Sequence, residues 1–445
     1  MGYSSKHGRR PDEYASKSSH GYIIKDPDVA SFLDDCSLPK YTDEILLPKC
    51  EKIEFTENPI KHIIAIDGGY SEVSVREEFP SSQLAFFQFG ALIFDLADLN
   101  AIAQKAFIDP EDISKLNNIQ RYKLVLPTKN VITKDSDSLI QSVRDTVFKF
   151  FLKTNGGSFI KTLKWFLFED YEGKIDKYNL ASCPSCGKSN IELERRSFSE
   201  RFDSQCPNCS ATIYLTDVFR LHEAVDNEIG AGGILGYVTT LIEQFIIVDL
   251  LRIILETKPA LLGEIIILKD GPLAFFGQTA GMNKPMRSMT NFLLEKHNLF
   301  LVGLEKSGAF VEHAVEIAKK MENGSVLLLN NDYIYKYIIP GKADPSQPYA
   351  RSSYYGSKVI FKASDERIYV ATLPTKTPDV VLNPSKNDFK NIDIILSNVE
   401  KLKCDMYDNS LFPVALANKL VSLADHPSSV ILEKFAKQTI NNHNS

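Results

Sequence analysis

Two stretches of the chain end in the same way. Residues 62–71 read HIIAIDGGYS and residues 264–271 read EIIILKDG. In each, an apolar run of strand length meets an Asp followed by Gly, and the glycines are read as stopping the strand. Such runs fit strands covered on both faces, as in an α/β sheet. Residues 83–96, QLAFFQFGALIFDL, read as a second strand paired with the first. A long helix is expected over 233–256, apolar on most sides and therefore buried. Helices at 285–297 and 311–321 flank a strand at 298–304. A hairpin follows at 358–363 and 367–373, then helices near 385–402 and 413–424. Strand, strand, insertion, helix, strand, helix, strand, helix is an α/β order, and in such sheets sites gather at the carboxyl ends of strands.

The 445 residues carry 51 Lys and Arg against 57 Asp and Glu, a net charge of −6. Contact with a polyanion must then come from a local patch, a metal or a partner, not from bulk charge. With 44% apolar and 24% charged residues the chain can bury a large core. Residues 1–20 are polar, basic and Ser-rich, without the apolar core of a signal peptide. The most apolar stretch, 234–255, is interrupted by Glu243, Asp249 and Arg252, which argues against a membrane span. A soluble, cytoplasmic protein is the expectation.

Four of the 7 cysteines form two C-x-x-C pairs. Cys183 and Cys186 are followed by Cys206 and Cys209 at the spacing of a structural zinc site. Each pair presents two thiolates on one turn, and two turns complete a tetrahedron. Redox-active pairs are the weaker alternative. A full four-sulfur shell leaves no open position, so Zn²⁺ here is expected to be structural.

Asp67 and Asp270 each follow an apolar strand, an arrangement that lifts a carboxylate into a cleft. Carboxylates are the hard oxygen ligands that hold Mg²⁺ or Mn²⁺, and such ions serve phosphodiester cleavage. A lone Asp-Gly is more often a turn. Two of them, with an acid buried in the long helix, form a constellation. Glu243 is the first candidate for that third acid and Asp249 the reserve, since an unpaired acid inside an apolar helix is costly. Lys306, in VGLEKSG after another apolar strand, could meet a phosphate as a point charge. Tyr354 and Tyr355 could stack on bases or simply pack. His313 is read as a helix-surface residue. No P-loop, G-x-S-x-G or H-E-x-x-H pattern occurs.

Taken in order, IDGGYS at 66–71, LKDGPLAFFG at 268–277, VGLEKSG at 302–308 and LFPVALANKL at 411–420 resemble the motifs of NurA-type nucleases. The resemblance spans about residues 60 to 425. It implies an RNase H-like mixed sheet flanked by helices, and Mn²⁺-dependent exonuclease and endonuclease activity on DNA. It also implies a homodimer docked on a HerA-type hexameric ATPase that translocates DNA. Asp67 matches the first metal-binding Asp and Asp270 the second, with the helical Glu falling on Glu243. In the C-terminal motif Phe412 and Asn418 stand where relatives usually carry a Tyr and a His.

The expected organisation is a disordered arm at 1–20, a first part of the nuclease core at 21–180, and a zinc ribbon insertion at 181–212. The rest of the core follows at 213–430, and a polar tail at 431–445. The expected function is a Mn²⁺- or Mg²⁺-dependent deoxyribonuclease acting in DNA-end repair or in defence against foreign DNA. An RNA nuclease on the same fold is one rival. A non-catalytic adaptor that recruits an ATPase or DNA through the zinc ribbon is the other.

Overall fold

The computed structural model describes residues 18–36, 45–54, 57–98, 118–173, 175–198, 201–405, 410–423 and 428–444. Most of the expected N-terminal arm, residues 1–17, lies outside the described residues. The chain then forms two short helices, α1 (Ser18–Ile24) and α2 (Pro27–Asp34).

A nine-stranded sheet organises the described residues. Its strands are β1 (Glu51–Lys52), β2 (His62–Arg76), β3 (Ser82–Asp95), β4 (Asn118–Lys129), β9 (Ile265–Asp270), β10 (Phe300–Glu305), β11 (Ser325–Leu328), β12 (Ser357–Lys362) and β13 (Ile368–Leu373). Their order is β1-β11-β12-β13-β10-β9-β2-β3-β4. β2, β3 and β4 form an antiparallel meander. β9 and β10 run parallel to β2. The block β4-β3-β2-β9-β10 has the order and directions of an RNase H-like sheet, as expected. The remaining strands extend it antiparallel beyond β10.

The strand pleat sorts the core into two layers. Ile64, Ile66, Phe87, Phe89, Ile265 and Ile267 face one way. They pack under α3 (Leu139–Lys153), α4 (Ser158–Leu167) and α5 (Leu235–Thr257). Ile63, Ala65, Leu92, Ile266, Leu268 and Val302 face the other way. There they meet α9 (Ile392–Lys401) and α10 (Phe412–Val421). Of the helices between α5 and α9 in the chain, α6 (Asn283–His297) joins the first layer, and α7 (Ala309–Ile317) and α8 (Asn331–Tyr337) pack on β11, β12 and β13. Among the described residues no helix is long and apolar enough to cross a membrane.

Three readings change. The glycines after Asp67 do not stop β2, which pairs with β3 as far as Arg76. They remain in the strand because of what crowds them. A Cβ on Gly68 would lie 2.5 Å from Phe89 Cδ1, and one on Gly69 would lie 3.3 Å from the Val421 carbonyl. Residues 118–129, inside a stretch (110–178) whose sequence mixes helical patterns, are the third strand of the meander. The polar tail is helical: α11 (Ser428–Asn444) seats Ala436 against Val73 and Val75.

Candidate functional site

The cysteine module hangs on two hairpins, β5 (Lys177–Ser182) with β6 (Ser189–Glu194), and β7 (Asp203–Gln205) with β8 (Thr212–Tyr214). The two knuckles have matching geometry. Gly187 N donates to the Cys183 carbonyl (3.0 Å) and Ser210 N to that of Cys206 (2.9 Å). Both turn residues take left-handed backbone, φ 69° and 61°. The backbone N–H of Ser185 points at Cys183 Sγ and that of Asn208 at Cys206 Sγ, each at 3.4 Å. All four sulfurs lie within 4.8 Å of one another. Backbone and Asn208 hydrogen bonds pull the Cys186 thiol down to about 6, the thiolate form that metals bind. The quartet suits a tetrahedral ion such as Zn²⁺. Cys183, Cys206, Leu180, Ile191, Phe198 and Ile213 belong to the same core as α5, so the module is a wall of the fold.

The acidic residues sit at the carboxyl edge of the parallel strands. The pleat aims Asp67 at the α10 side of the sheet, between Ala65 and Gly69. Asp270 follows Leu268 onto that same face, where Lys306 Nζ stands 2.7 Å from Asp270 Oδ2. Asp67 Oδ1 accepts from Gly68 N at 2.8 Å. Asp67 Oδ2 is buried with no hydrogen-bond partner. Burial first, and the charges of Asp270 and Glu243 next, push the Asp67 carboxyl up to about 7, against the pull of Gly68 N–H and Lys306. An orphaned buried carboxylate oxygen beside a second acid suits a hard divalent cation.

Glu243 approaches the pair from the other face of the sheet, near enough for its charge to act on Asp67 and for Gly68 N–H to serve both carboxylates. Its Oε2 lies 2.7 Å from Lys269 Nζ, with both side chains buried on the α5 side of the sheet. Lys269 precedes Asp270 on β9, so the pleat sends the two to opposite faces, and Lys269 Nζ also donates to the Asp270 carbonyl. Among the described residues, the acids do not form a group with ligand atoms within 4.8 Å, as the cysteines do. Asp249, the reserve candidate, has other partners. Its Oδ1 accepts from Ser158 Oγ (2.7 Å) and Thr162 Oγ1 (2.5 Å), with Arg252 Nη2 at 3.7 Å.

Sequence reasoning missed Lys269 and a neighbouring clamp. Gln244 Nε2 donates to the carbonyls of Pro272 (3.3 Å) and Ala274 (3.2 Å), and Gln244 Oε1 accepts from Tyr355. This ties the loop after Asp270 to α5. Tyr355 is therefore buried and cannot stack on a base, whereas Tyr354 is half-buried. His313 is also buried, not on the helix surface, with Nε2 2.9 Å from the Tyr333 hydroxyl. The end of α10 covers the acid edge: Gln88 Nε2 donates to the Leu420 carbonyl at 2.8 Å, and Val421 closes over Gly69 and Gly90.

No family model matches the chain, and no curated protein matches it. Two solved structures align along nearly its whole length. One is the crystal structure of the NurA nuclease from Sulfolobus solfataricus, 9% identical, covering 96% of this chain and 98% of that one, with a TM-score of 0.33. The other is a crystal structure of NurA, 10% identical, covering 95% and 97%, with a TM-score of 0.28. Likeness at this level carries no argument about chemistry, which rests on the residues themselves.

Proposed function

We propose that the chain is a divalent-metal-dependent deoxyribonuclease whose active site is the edge bearing Asp67, Asp270 and Lys306. One observation carries the reading: the buried, unpartnered Oδ2 of Asp67 lies beside a second acid at the carboxyl ends of parallel strands. Asp67 and Asp270 would hold Mn²⁺ or Mg²⁺. When bound, such an ion supplies the Lewis acidity that phosphodiester hydrolysis needs. Asp67 would hold the ion as the carboxylate, its proton passing to solvent. Lys306 orients Asp270 and presents a positive charge to the scissile phosphate. The cysteine quartet holds Zn²⁺ and fixes the wall behind α5. The motif resemblance supports DNA as substrate, a homodimer as the working form, a HerA-type hexameric ATPase as partner, a cytoplasmic location, and a role in DNA-end repair or defence. A net charge of −6 fits delivery of DNA by such a partner.

The test is cleavage of linear and circular DNA, and of RNA, with Mn²⁺, by wild type and Asp67→Ala, with and without the ATPase. Cleavage of DNA by wild type alone, abolished by EDTA, is the expected result. No cleavage by a folded, zinc-loaded protein under any of these conditions sinks the reading and favours the adaptor.

A further inference from the structure

Resting on the nuclease reading, we propose that Lys269 holds Glu243 away from the acid pair. The chain then binds one divalent cation, at Asp67 and Asp270, where three converging carboxylates could take two.

The argument starts from oxygen atoms. A carboxylate that bridges two cations needs both of its oxygens. Asp270 has Oδ2 on Lys306, and Glu243 has Oε2 on Lys269. The other oxygen of Glu243 points at Gly68: a Cβ there would stand 3.1 Å from Oε1. Gly68 faces the α5 side, opposite to Asp67 and Gly69. Among the buried carboxylate oxygens of the three acids, Asp67 Oδ2 is the one without a partner.

Charge leads to the same count. The cleft face holds two carboxylates and one ammonium, a net single negative charge. One divalent ion turns that into a single positive charge, which a phosphodiester neutralises. A second ion would add two more positive charges beside a residue that is 4% exposed, where like charges repel strongly. Recruiting Glu243 would also strand Lys269, itself 2% exposed. A buried ammonium without its partner is what folded proteins avoid. Lys269 is therefore a positioning residue: it touches neither substrate nor ion and sets the number of ions through Glu243.

The experiment titrates full-length, zinc-loaded protein with MnCl₂, reading stoichiometry by calorimetry and Mn–Mn coupling by electron paramagnetic resonance. Wild type is expected to bind one Mn²⁺ without a coupled signal, and Asp67→Asn none. Lys269→Met frees Glu243 and is expected to bind two, with coupling. The double variant Lys269→Met/Glu243→Gln removes both charges and returns to one. Two ions in wild type, or one in Lys269→Met, overturn the inference and leave the nuclease reading standing. No Mn²⁺ bound by wild type overturns the acid-pair reading itself. Where Lys269→Met fails to fold, wild type and the double variant decide: one ion in each supports the inference, and two in wild type overturns it.

Discussion

Lys306 and Asp270 join the carboxyl ends of two adjacent parallel strands, with Nζ 2.7 Å from Oδ2. On the proposed reading the lysine has two tasks, holding one acid in place and facing the phosphate. Lys306→Ala is expected to lower kcat on DNA by about 10²-fold, the scale seen when a single charge-stabilising donor is lost. Mn²⁺ binding, read by calorimetry, should persist. A variant that cleaves as well as wild type would remove Lys306 from the site.

Asp67 makes the protein pH-sensitive in two opposite ways. Its carboxyl is raised to about 7 without metal, mainly by burial. Mn²⁺ affinity should therefore climb as pH rises through 7 and level off above it. Stability without metal follows the reverse course. Below the unfolded value, near 4, both states hold the proton and Asp67 makes no difference. As pH rises from there to 7 the unfolded state ionises first, so the folded state loses ground by up to about 4 kcal/mol. In EDTA, Asp67→Asn should melt above wild type at pH 8, with the gap narrowing toward pH 4. A wild type that melts above Asp67→Asn in EDTA would contradict the assignment of burial as the dominant cause.

Asp249 and Arg252 are expected to behave as structural residues. Asp249→Asn removes the anion that Ser158 and Thr162 donate to, while Arg252 keeps Glu256 at 2.7 Å, and should cost about 1–3 kcal/mol in denaturant melts. Cleavage per folded molecule should be unchanged. Loss of cleavage from a well-folded Asp249→Asn would move Asp249 into the site.

Zinc extraction has a built-in reporter. The single Trp, Trp165, is buried in the core shared with the cysteine module, and its neighbour Lys164 donates to the Phe198 carbonyl at 2.8 Å. Mercurial titration should release one zinc per chain, red-shift the Trp165 emission and lower Tm. The double variant Cys183→Ser/Cys206→Ser should hold no zinc. Unchanged emission after release would mean the module is decoupled from the α5 layer.

Gly68 tests how tightly Phe89 of β3 and Glu243 of α5 close over β2. Gly68→Ala drives a methyl group into Phe89 and toward Glu243. Such overpacking costs about 1–3 kcal/mol. A melt indistinguishable from wild type would show that Phe89 and Glu243 yield there freely.

The sequence places the two acids side by side because each follows an apolar run of a parallel strand, although β2 continues past Asp67 and only β9 ends at its acid. The zinc quartet was legible because its spacing is local. Glu243 and Asp249 lie six residues apart on one buried helix, and what separates them is remote: Lys269 for one, Ser158 and Thr162 for the other. No local pattern announces such partners. Lys269 left a signal that went unused, since neighbouring residues on a strand face opposite ways. β4 left one too, in the inward alternation of Tyr122, Leu124 and Leu126. The glycines of β2 suggested a stop because their crowding comes from Phe89 and Val421, distant in the chain.

The pairing of β2 with β9 brings residue 62 beside residue 265. The two acids of the edge thus come from opposite ends of a long stretch of chain, with the cysteine hairpins and α5 between them. Contacts so remote in sequence close late and slowly during folding. During synthesis, a chain that has not yet extended past Asp270 has no pair of acids to bind an ion. On the proposed nuclease reading, an unfinished chain that ends before Asp270 would therefore cut no nucleic acid around it.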